Sequence, residues 1–351
     1  MSYHDTLRAV MWENESVQLL EQRLLPHQHT FVTINTAQAM EDAIRDMIVR
    51  GAPAIGIAAA YGVVFAAKEA YQTAGENWRE AIVPLVSALE ASRPTAVNLM
   101  WALARMQALF PQLTGNPVEA LLVEAKKIQA EDIAANYKMG ELGAALLPEH
   151  CRILTHCNAG SIATGGYGTA LGVVRRAQTE GKVAKVYADE TRPWLQGARL
   201  TAWELLQDNI PVTLLADCAA ASLMQKGEID WVIVGSDRIA ANGDVANKIG
   251  TYNLAVLAHY HGVKMMVVAP TSTVDMQCAS GANITIEQRT KTEIWELAGQ
   301  RVAAEGADAI NPVFDVTPAE LVDVIITEKG VVSQPTHEKM LDLMSQNEAI
   351  I

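Results

Sequence analysis

Cys157 ends an apolar run and opens a stretch of small residues. The run "ILTHC" is followed by "NAGSIATGGYG", in which Gly160, Gly165, Gly166 and Gly168 leave backbone amides uncovered before a predicted helix. The helix dipole favours the thiolate of a cysteine at such a place, and the thiolate is the reactive form of the side chain. The same residues also fit a tight turn around a small buried cysteine. The glycine spacing is not that of a dinucleotide-binding loop.

Asp237 is the second group that could do chemistry. It follows the apolar run "WVIVG", where partial desolvation would raise the pKa of a carboxyl and make it a general acid near neutral pH. The neighbouring Arg238 would oppose that shift, and an aspartate here also fits the cap of a turn. Farther along, Asn247 and Lys248 precede a predicted helix. The amide suits helix capping or hydroxyl binding, and the amine suits either an anion or solvent.

Two arginines stand beside prolines that begin predicted helices. Arg50 precedes "GAPAIG", and Arg93 precedes Pro94 in "ASRPTAVNL". In the first motif the amides of Gly51 and Ala52 fall at the amino end of a helix, which is a favourable place for an anion. Each arginine alone also fits an exposed surface position. Two such arginines in an acidic chain lead to the hypothesis of a phosphate pocket between domains.

His156 is interpreted as structural. Adjacent residues of an extended strand point to opposite sides, so His156 is not expected to act as a base for Cys157. The four cysteines, Cys151, Cys157, Cys218 and Cys278, form no repeated pair and are predicted to be reduced cytoplasmic thiols. Cys151, His156 and Cys157 lack the spacing and geometry of a zinc site, so no metal is expected.

The composition narrows the classes of function. The chain has 351 residues, of which 50% are hydrophobic and 19% are charged, as in a compact folded protein. Its net charge of -13 disfavours nonspecific binding to nucleic acid or to an anionic membrane. The first twenty residues lack a basic start followed by an apolar stretch, so no secretory signal is expected. The apolar segments are rich in alanine and glycine, which favours buried helices over membrane spans.

The elements that must position these groups follow two patterns. Residues 7 to 34 alternate apolar and polar residues in short runs, which predicts a small antiparallel sheet. In the residues that follow, the apolar positions have the spacing typical of helices. The predicted helices are one capped by Asn35 or Thr36 and ended by Gly51, one starting at Pro53, others over 77–90 and 95–109, and a long one from Asn116 and Pro117.

The second half alternates strands and helices. The predicted strands are "RILTH", "AKVYAD", "PVTLL", "WVIVG", "VKMMVV" and "VDVIIT". Continuous apolar strands separated by helices predict an α/β fold with a Rossmann-like parallel sheet covered by helices on both faces. Ligands bind outside the carboxyl ends of such strands, where Cys157, "ETRPWLQGAR", "ADC" and Asp237 fall. The predicted organisation is an N-terminal small-sheet and helical domain over 1–115, a connecting helix over 116–147 and a catalytic domain over 148–351.

Five motifs together resemble the S-methyl-5-thioribose-1-phosphate isomerase family, the aldose-ketose isomerases of methionine salvage. The motifs are "RGAPAIG", "SRPTAVNL", "THCNAGSIATGGYGTALGV", "ETRPWLQGARLTAWEL" and "DRIAANGDVANKIGTY", and the resemblance runs from about residue 7 to about residue 334. The chain has "GSDRI" where the family usually shows "GADRI", and "KMMVVAP" where it commonly shows "PFYVAAP". The first difference bears on the pKa of Asp237, and the second is interpreted as strand packing.

The resemblance implies a small sheet-plus-helices domain joined to a Rossmann-like domain, a cytoplasmic homodimer, a sugar-phosphate substrate and no cofactor. It implies a catalytic pair, Asp237 and Cys157. Asp237, if protonated, would donate to the ring oxygen of the substrate, because the ring must open before hydrogen moves from C2 to C1. Cys157 would then take the C2 proton as a thiolate or line an apolar site for a direct hydride shift. The substrate-binding positions that the resemblance implies are Arg50, Gly51, Ala52, Arg93, Gln196, Asn247 and Lys248.

Two other functions remain open from the sequence. A ribose-1,5-bisphosphate isomerase would need a second anion site, and the sequence offers no further paired basic motif. A noncatalytic regulatory subunit that senses a sugar phosphate would have no need of both Cys157 and Asp237.

Overall fold

The computed structural model describes residues 5–93 and 96–346, which form two compact units. The first unit contains the chain up to Lys138 together with Ala159–Gly172. The second contains Met139–Asn158 and the chain from Val173 onward. The predicted division at residues 116 and 148 stays a prediction.

The first unit begins with the predicted antiparallel sheet, which is confirmed. Its strands β1 (Val10–Glu13), β2 (Ser16–Leu20) and β3 (Phe31–Ile34) lie in chain order. Val17 and Leu19 in the middle strand are fully buried. The sheet therefore has one face in the core of this unit.

Six α-helices follow in the described part of the chain, and the two for which a cap was predicted begin at that cap. They are α1 (Ala37–Arg45), α2 (Ala52–Ala74), α3 (Trp78–Ala81), α4 (Val83–Ser92), α5 (Val97–Gln107) and α6 (Val118–Ala144). The Thr36 hydroxyl accepts from the amide of Ala39, and the Asn116 side chain accepts from the amide of Val118. Pro53 lies in the first turn of α2.

Two helix boundaries differ from the predictions. The first helix ends at Arg45 instead of Gly51, because Met47 has a φ of 60° and leaves the helical region. The predicted helix over 77–90 is broken into α3 and α4 after Ala81. Pro94 and Thr95, at the predicted start of the next helix, lie outside the described residues.

Helix α2 is the core of the first unit. Sixteen of its residues are buried, so it is apolar on all sides. A Cβ atom on Gly56 would lie 2.7 Å from the carbonyl oxygen of Asn98, which shows how closely α2 approaches α5. By length and composition the stretch Ala52–Ala81 could cross a membrane, but 83% of its apolar window is buried inside the protein. That burial is typical of a core helix.

The second unit is built on the predicted α/β sheet, whose class is confirmed. The strands run in the order β16-β15-β10-β7-β4-β5-β6 and are parallel except for β16, which pairs antiparallel with its neighbour. Their bounds are β4 (Cys151–Thr155), β5 (Val183–Asp189), β6 (Val212–Leu215), β7 (Trp231–Val234), β10 (Lys264–Val268), β15 (Val324–Thr327) and β16 (Gly330–Ser333). The intervening helices are α7 (Ala170–Thr179), α8 (Ala202–Gln207), α9 (Ala220–Gln225) and α10 (Thr251–His261).

A second small sheet was not predicted. Its strands are β11 (Val274–Asp275), β8 (Arg238–Ala240), β9 (Val245–Lys248) and β14 (Phe314–Thr317), in that order across the sheet. The pair Asn242-Gly243 makes the turn between β8 and β9, with Gly243 at a φ of 90°. An Asn-Gly pair between short apolar runs is typical of a β-hairpin, so this hairpin could have been predicted from the sequence.

The remaining elements are short. A two-stranded ribbon, β12 (Glu296–Leu297) and β13 (Gln300–Arg301), follows α11 (Thr292–Trp295). The last described helix is α12 (His337–Ser345), and Thr336 caps it by accepting from the amide of Lys339.

Candidate active site

The parallel sheet brings the two predicted reacting residues to one edge. Strand β4 pairs in parallel with both β5 and β7. Cys157 follows β4, and Asp237 follows β7. Since the carboxyl ends of parallel neighbours lie at the same edge, both residues leave the sheet on the side where ligands bind in such folds. Each is partly exposed, as a group that must reach a substrate has to be.

Cys157 has an unusual backbone. Its φ is 59°, in the left-handed region that costs a residue with a side chain roughly 1–2 kcal/mol. Its amide donates to the hydroxyl of Thr191 over 2.9 Å, and its carbonyl accepts from the hydroxyl of Thr201. Sequence reasoning missed both threonines, although Thr191 lies in the strand-end stretch that was singled out after β5. Backbone strain held by buried partners is a common feature of active sites.

His156 is structural, as predicted. Its Nδ1 lies 2.9 Å from a carboxylate oxygen of Asp189, and its Nε2 lies 2.8 Å from the carbonyl oxygen of Ile249. The Ile249 carbonyl can only accept, and a second acceptor at Nδ1, the Asp189 carboxylate, favours the protonated form of the ring. Burial opposes this charge, but the hydrogen bond and charge of Asp189 outweigh it, and the pKa of His156 is raised. The ring therefore ties the end of β4 to the turn after β9.

One acidic cluster in the described part of the chain is close enough for a cation. One ligand atom each from His156, Asp189 and Asp217 lie within 4.8 Å of one another. Both histidine nitrogens already face acceptors, and the Asp217 carboxylate accepts from the amides of Thr191 and Arg192, each over 2.7 Å. These hydrogen bonds favour a structural network over a metal centre.

Asp237 is held at the entrance of the β8–β9 hairpin. Its amide donates to the carbonyl oxygen of Ala246 over 3.0 Å, and the Ser236 hydroxyl reaches the same oxygen at 3.2 Å. The guanidinium of Arg238, expected from sequence to influence Asp237, lies 3.7 Å from the carboxylate of Asp275. The hairpin thus fixes the backbone of Asp237 beside the strand that bears Asn247 and Lys248.

Asn247 and Lys248 are buried polar residues on β9. They are 6% and 7% exposed. The Asn247 amide donates to the hydroxyl of Thr251 over 3.0 Å, and the Lys248 amine donates to the carbonyl of Val313 over 3.1 Å. The amine also lies 4.7 Å from the ring centre of Phe314. The alternative of a solvated lysine is therefore wrong, because lysine is buried this deeply only where its charge is used or compensated.

Gln196 is buried with an unused acceptor. It is 5% exposed, and its Oε1 has no hydrogen-bond partner among the described residues. It directly precedes the π-helical turn Gly197–Thr201, a form of helix that is frequent at functional sites. An unpaired buried carbonyl carries a free-energy cost, which a hydrogen bond from a ligand hydroxyl would remove.

The other predicted binding residues belong to the first unit. Ala52 begins α2, and Gly51 caps it with a φ of 95°, so the predicted helix start is confirmed. A Cβ atom on Gly51 would lie 2.5 Å from the carbonyl oxygen of Ala163, so only glycine fits there. Arg50 and Arg93 are partly buried rather than fully exposed.

The glycines that follow Cys157 have a packing role within the first unit. Gly160 and Gly168 bridge each other across the loop, and a Cβ atom on Gly168 would lie 2.4 Å from the Cα of Gly160. The loop closes on itself at this point, which explains the need for glycine without a phosphate ligand.

Comparison with known proteins gives consistent matches over the whole chain. Residues 48–334 match the initiation factor 2 subunit family. The methylthioribose-1-phosphate isomerase of Thioalkalivibrio sulfidiphilus (strain HL-EbGR7) is 60% identical over 340 residues, which are 97% of each protein. The solved 5-methylthioribose 1-phosphate isomerase of Pyrococcus horikoshii OT3 is 43% identical, with a TM-score of 0.90 over 98% of each chain. The solved translation initiation factor eIF-2B subunit delta of A. fulgidus is 40% identical, with a TM-score of 0.85 over 96% of this chain and 100% of that one.

Proposed function

The chain belongs to the initiation factor 2 subunit family, and on that premise we propose how it performs the reaction for which its 60% identical relative is named. It is an aldose-ketose isomerase that converts 5-methylthioribose 1-phosphate to 5-methylthioribulose 1-phosphate in methionine salvage. The observation that carries this function is the identity across 97% of both proteins. The presence of both Cys157 and Asp237 after neighbouring parallel strands supports it.

The chemistry begins with ring opening. The anomeric carbon of the substrate bears phosphate, so there is no free aldehyde to enolise. Asp237 in its protonated form donates to the ring oxygen while the ring bond to C1 breaks. Its place after β7, at the carboxyl edge of the parallel sheet, supports this role because substrates bind at that edge in such folds.

Hydrogen then moves from C2 to C1, and Cys157 is the group assigned to that step. In one route its thiolate removes the C2 proton and C1 takes up a proton. In the other route the hydrogen moves directly from C2 to C1 as hydride, and Cys157 shapes an apolar surface around it. In both routes the C2 hydroxyl becomes the carbonyl of the ketose by losing its proton to the Asp237 carboxylate that ring opening leaves behind. A reaction in deuterated water separates the routes: deuterium at C1 of the product supports the first, and its absence supports the second or a shielded base.

Substrate contacts are assigned by the resemblance and by the chemistry of each position. Gln196 and Asn247 suit the sugar hydroxyls, since each is a buried amide. Lys248 suits an anion or the developing charge on a substrate oxygen. We assign phosphate binding to Arg50, Arg93 and the amides of Gly51 and Ala52 at the start of α2. The working enzyme is proposed to be a cytoplasmic homodimer without a cofactor.

The direct test is turnover of 5-methylthioribose 1-phosphate, followed by NMR for the appearance of the ketose. Ribose 1,5-bisphosphate is the comparison substrate, because its turnover at an equal or higher rate would favour the related isomerase. The Arg93→Ala variant is expected to weaken binding through the phosphate and so to raise KM; an unchanged KM would remove Arg93 from the phosphate site.

A noncatalytic role is the second candidate, because one 40% identical relative is named as an initiation factor subunit. Such a protein would bind the sugar phosphate without converting it. Binding without turnover in the intact protein would favour this role over the isomerase.

A further inference from the structure

The segment after β5 supplies two hydroxyl groups to the backbone of Cys157. The Thr191 hydroxyl accepts from the Cys157 amide over 2.9 Å, and the Thr201 hydroxyl donates to the Cys157 carbonyl. Both threonines are fully buried. The backbone of Cys157 is left-handed, with a φ of 59°. Both its amide and its carbonyl are therefore held by hydrogen bonds in this conformation.

Each of the two hydroxyl groups donates one hydrogen bond and accepts another, which fixes its orientation. Thr191 also donates to the carbonyl of Asp189 over 3.2 Å, and Thr201 also accepts from the side-chain amide of Asn158 over 3.2 Å. A hydroxyl has a single proton to donate, so these partners leave one arrangement for each threonine. A serine can reproduce that arrangement, whereas valine cannot.

The two threonines are themselves anchored by charged side chains, of which Asp217 is partly exposed and Glu204 is buried. The Thr191 amide donates to Asp217 over 2.7 Å. Thr201 ends the π-helical turn, and Asn158 beside it also bonds to Glu204, which pairs with the buried Arg175 at 3.1 Å. The hydrogen bonds from Thr191 and Thr201 to Cys157 are therefore part of a larger buried hydrogen-bond network.

We propose that Thr191 and Thr201 are positioning residues for the isomerase reaction, and that their hydroxyls set the location of the Cys157 thiol by holding its backbone in the left-handed conformation. The proposal rests on the assigned role of Cys157 in the proposed function. Without either hydroxyl, the Cys157 amide or carbonyl loses its partner and the backbone can relax toward an ordinary conformation. The thiol then moves relative to the bound sugar.

The test compares Thr191→Val and Thr201→Val with Thr191→Ser and Thr201→Ser. Thr317→Val is the matched control, because Thr317 is also fully buried in this unit but its hydroxyl meets no partner in the described part of the chain. We expect each valine variant to lose about 10- to 100-fold in kcat with KM unchanged, as a small misplacement of a reacting group does. The serine variants and Thr317→Val should keep the kcat of the unaltered enzyme.

A second readout does not depend on turnover. The rate of Cys157 alkylation by iodoacetamide, followed by peptide mass spectrometry, should change in both valine variants and return in both serine variants. Cys218 is exposed and serves as the reference thiol in the same samples. Should a valine variant fail to fold, the alanine variant of that threonine is compared with its serine variant, with the same expected order.

The outcomes separate this proposal from the proposed function. Valine variants with unaltered kcat and unaltered Cys157 alkylation would overturn the positioning role, as would serine variants impaired as much as valine. Full turnover by Cys157→Ala would instead overturn the assigned role of Cys157, and the change in alkylation would still report whether the hydroxyls hold its backbone.

Discussion

The imidazole Nδ1 of His156 and a carboxylate oxygen of Asp189 lie 2.9 Å apart in the buried interior of the second unit. The other ring nitrogen meets the carbonyl of Ile249, which follows Lys248. The histidine next to Cys157 therefore connects the strand that carries the thiol to the strand that carries Asn247 and Lys248. These hydrogen bonds give His156 a structural role between the two strands.

His156 is expected to stay protonated at neutral pH, and Asp189→Asn should lower its pKa. A raised pKa in the folded state contributes stability that is complete below the unfolded value of about 6.5 and is lost as pH rises through the folded value. Asp189→Asn should therefore reduce the free energy of unfolding more at pH 5.5 than at pH 9. Nitrogen-15 NMR of the imidazole checks the protonation directly, and a neutral ring at pH 7 in the unaltered protein would refute it.

Gly250 and Gly262 cap the two ends of α10 and make a matched pair. Both have positive φ, of 103° and 70°. A Cβ atom on Gly250 would lie 2.8 Å from Cε1 of His156, whereas nothing lies within 4 Å of one on Gly262. Gly262→Ala should cost about 1 kcal/mol from the backbone alone, and Gly250→Ala about 1–3 kcal/mol more from the clash. Urea unfolding measures both, and equal losses would contradict the packing of His156 against Gly250.

Gln196→Met should separate binding from stability. Methionine keeps the approximate shape of glutamine and removes the buried Oε1 that has no partner. The melting temperature should stay the same or rise, because a cost of the unliganded protein is removed. The kcat/KM should fall about tenfold, the equivalent of one hydrogen bond to a sugar hydroxyl. Unchanged kcat/KM would mean that Gln196 does not touch the substrate.

Lys248→Met should impair catalysis while the fold survives. Methionine fills much of the same space without a buried charge, and the Val313 carbonyl that loses its donor should cost about 1–3 kcal/mol. We expect kcat/KM to fall about 100-fold or more, since the loss of a buried cation near a substrate oxygen removes charge stabilisation. Lys264→Met is the control, because Lys264 is exposed at the amino end of β10 and pairs with Asp323. If both variants retain activity, Lys248 is a structural residue.

The sequence was most informative where burial and the backbone obey simple periodic rules. The six apolar strands were predicted because a parallel sheet buries both faces, and the Thr36 and Asn116 caps follow from their short polar side chains. The end of α1 was not predicted correctly, because Met47 adopts a positive φ, which is uncommon for methionine. The Asn242-Gly243 hairpin was overlooked although its turn signal was present.

The site was predictable to a different degree. The rule that ligands meet the carboxyl ends of parallel strands identified Cys157 and Asp237 as candidates. Thr191 and Thr201 could not be assigned, because their importance comes from contacts with Cys157 that are 34 and 44 residues away in the chain. The burial of Lys248 was likewise not predictable, because it depends on the pairing of β9 with β14, which lies more than 60 residues away in the chain.

The central claim is that Asp237 and Cys157 carry the isomerisation. The measurement is the rate of ketose formation from 5-methylthioribose 1-phosphate, followed by NMR, in Asp237→Asn and Cys157→Ala, with Cys218→Ala as the control for a thiol outside the site. Circular dichroism establishes that all three variants fold. We predict that the first two lose turnover by about 100-fold or more, as expected when a general acid or a reacting thiol is removed, while Cys218→Ala retains it. Equal turnover in all three variants would contradict the account.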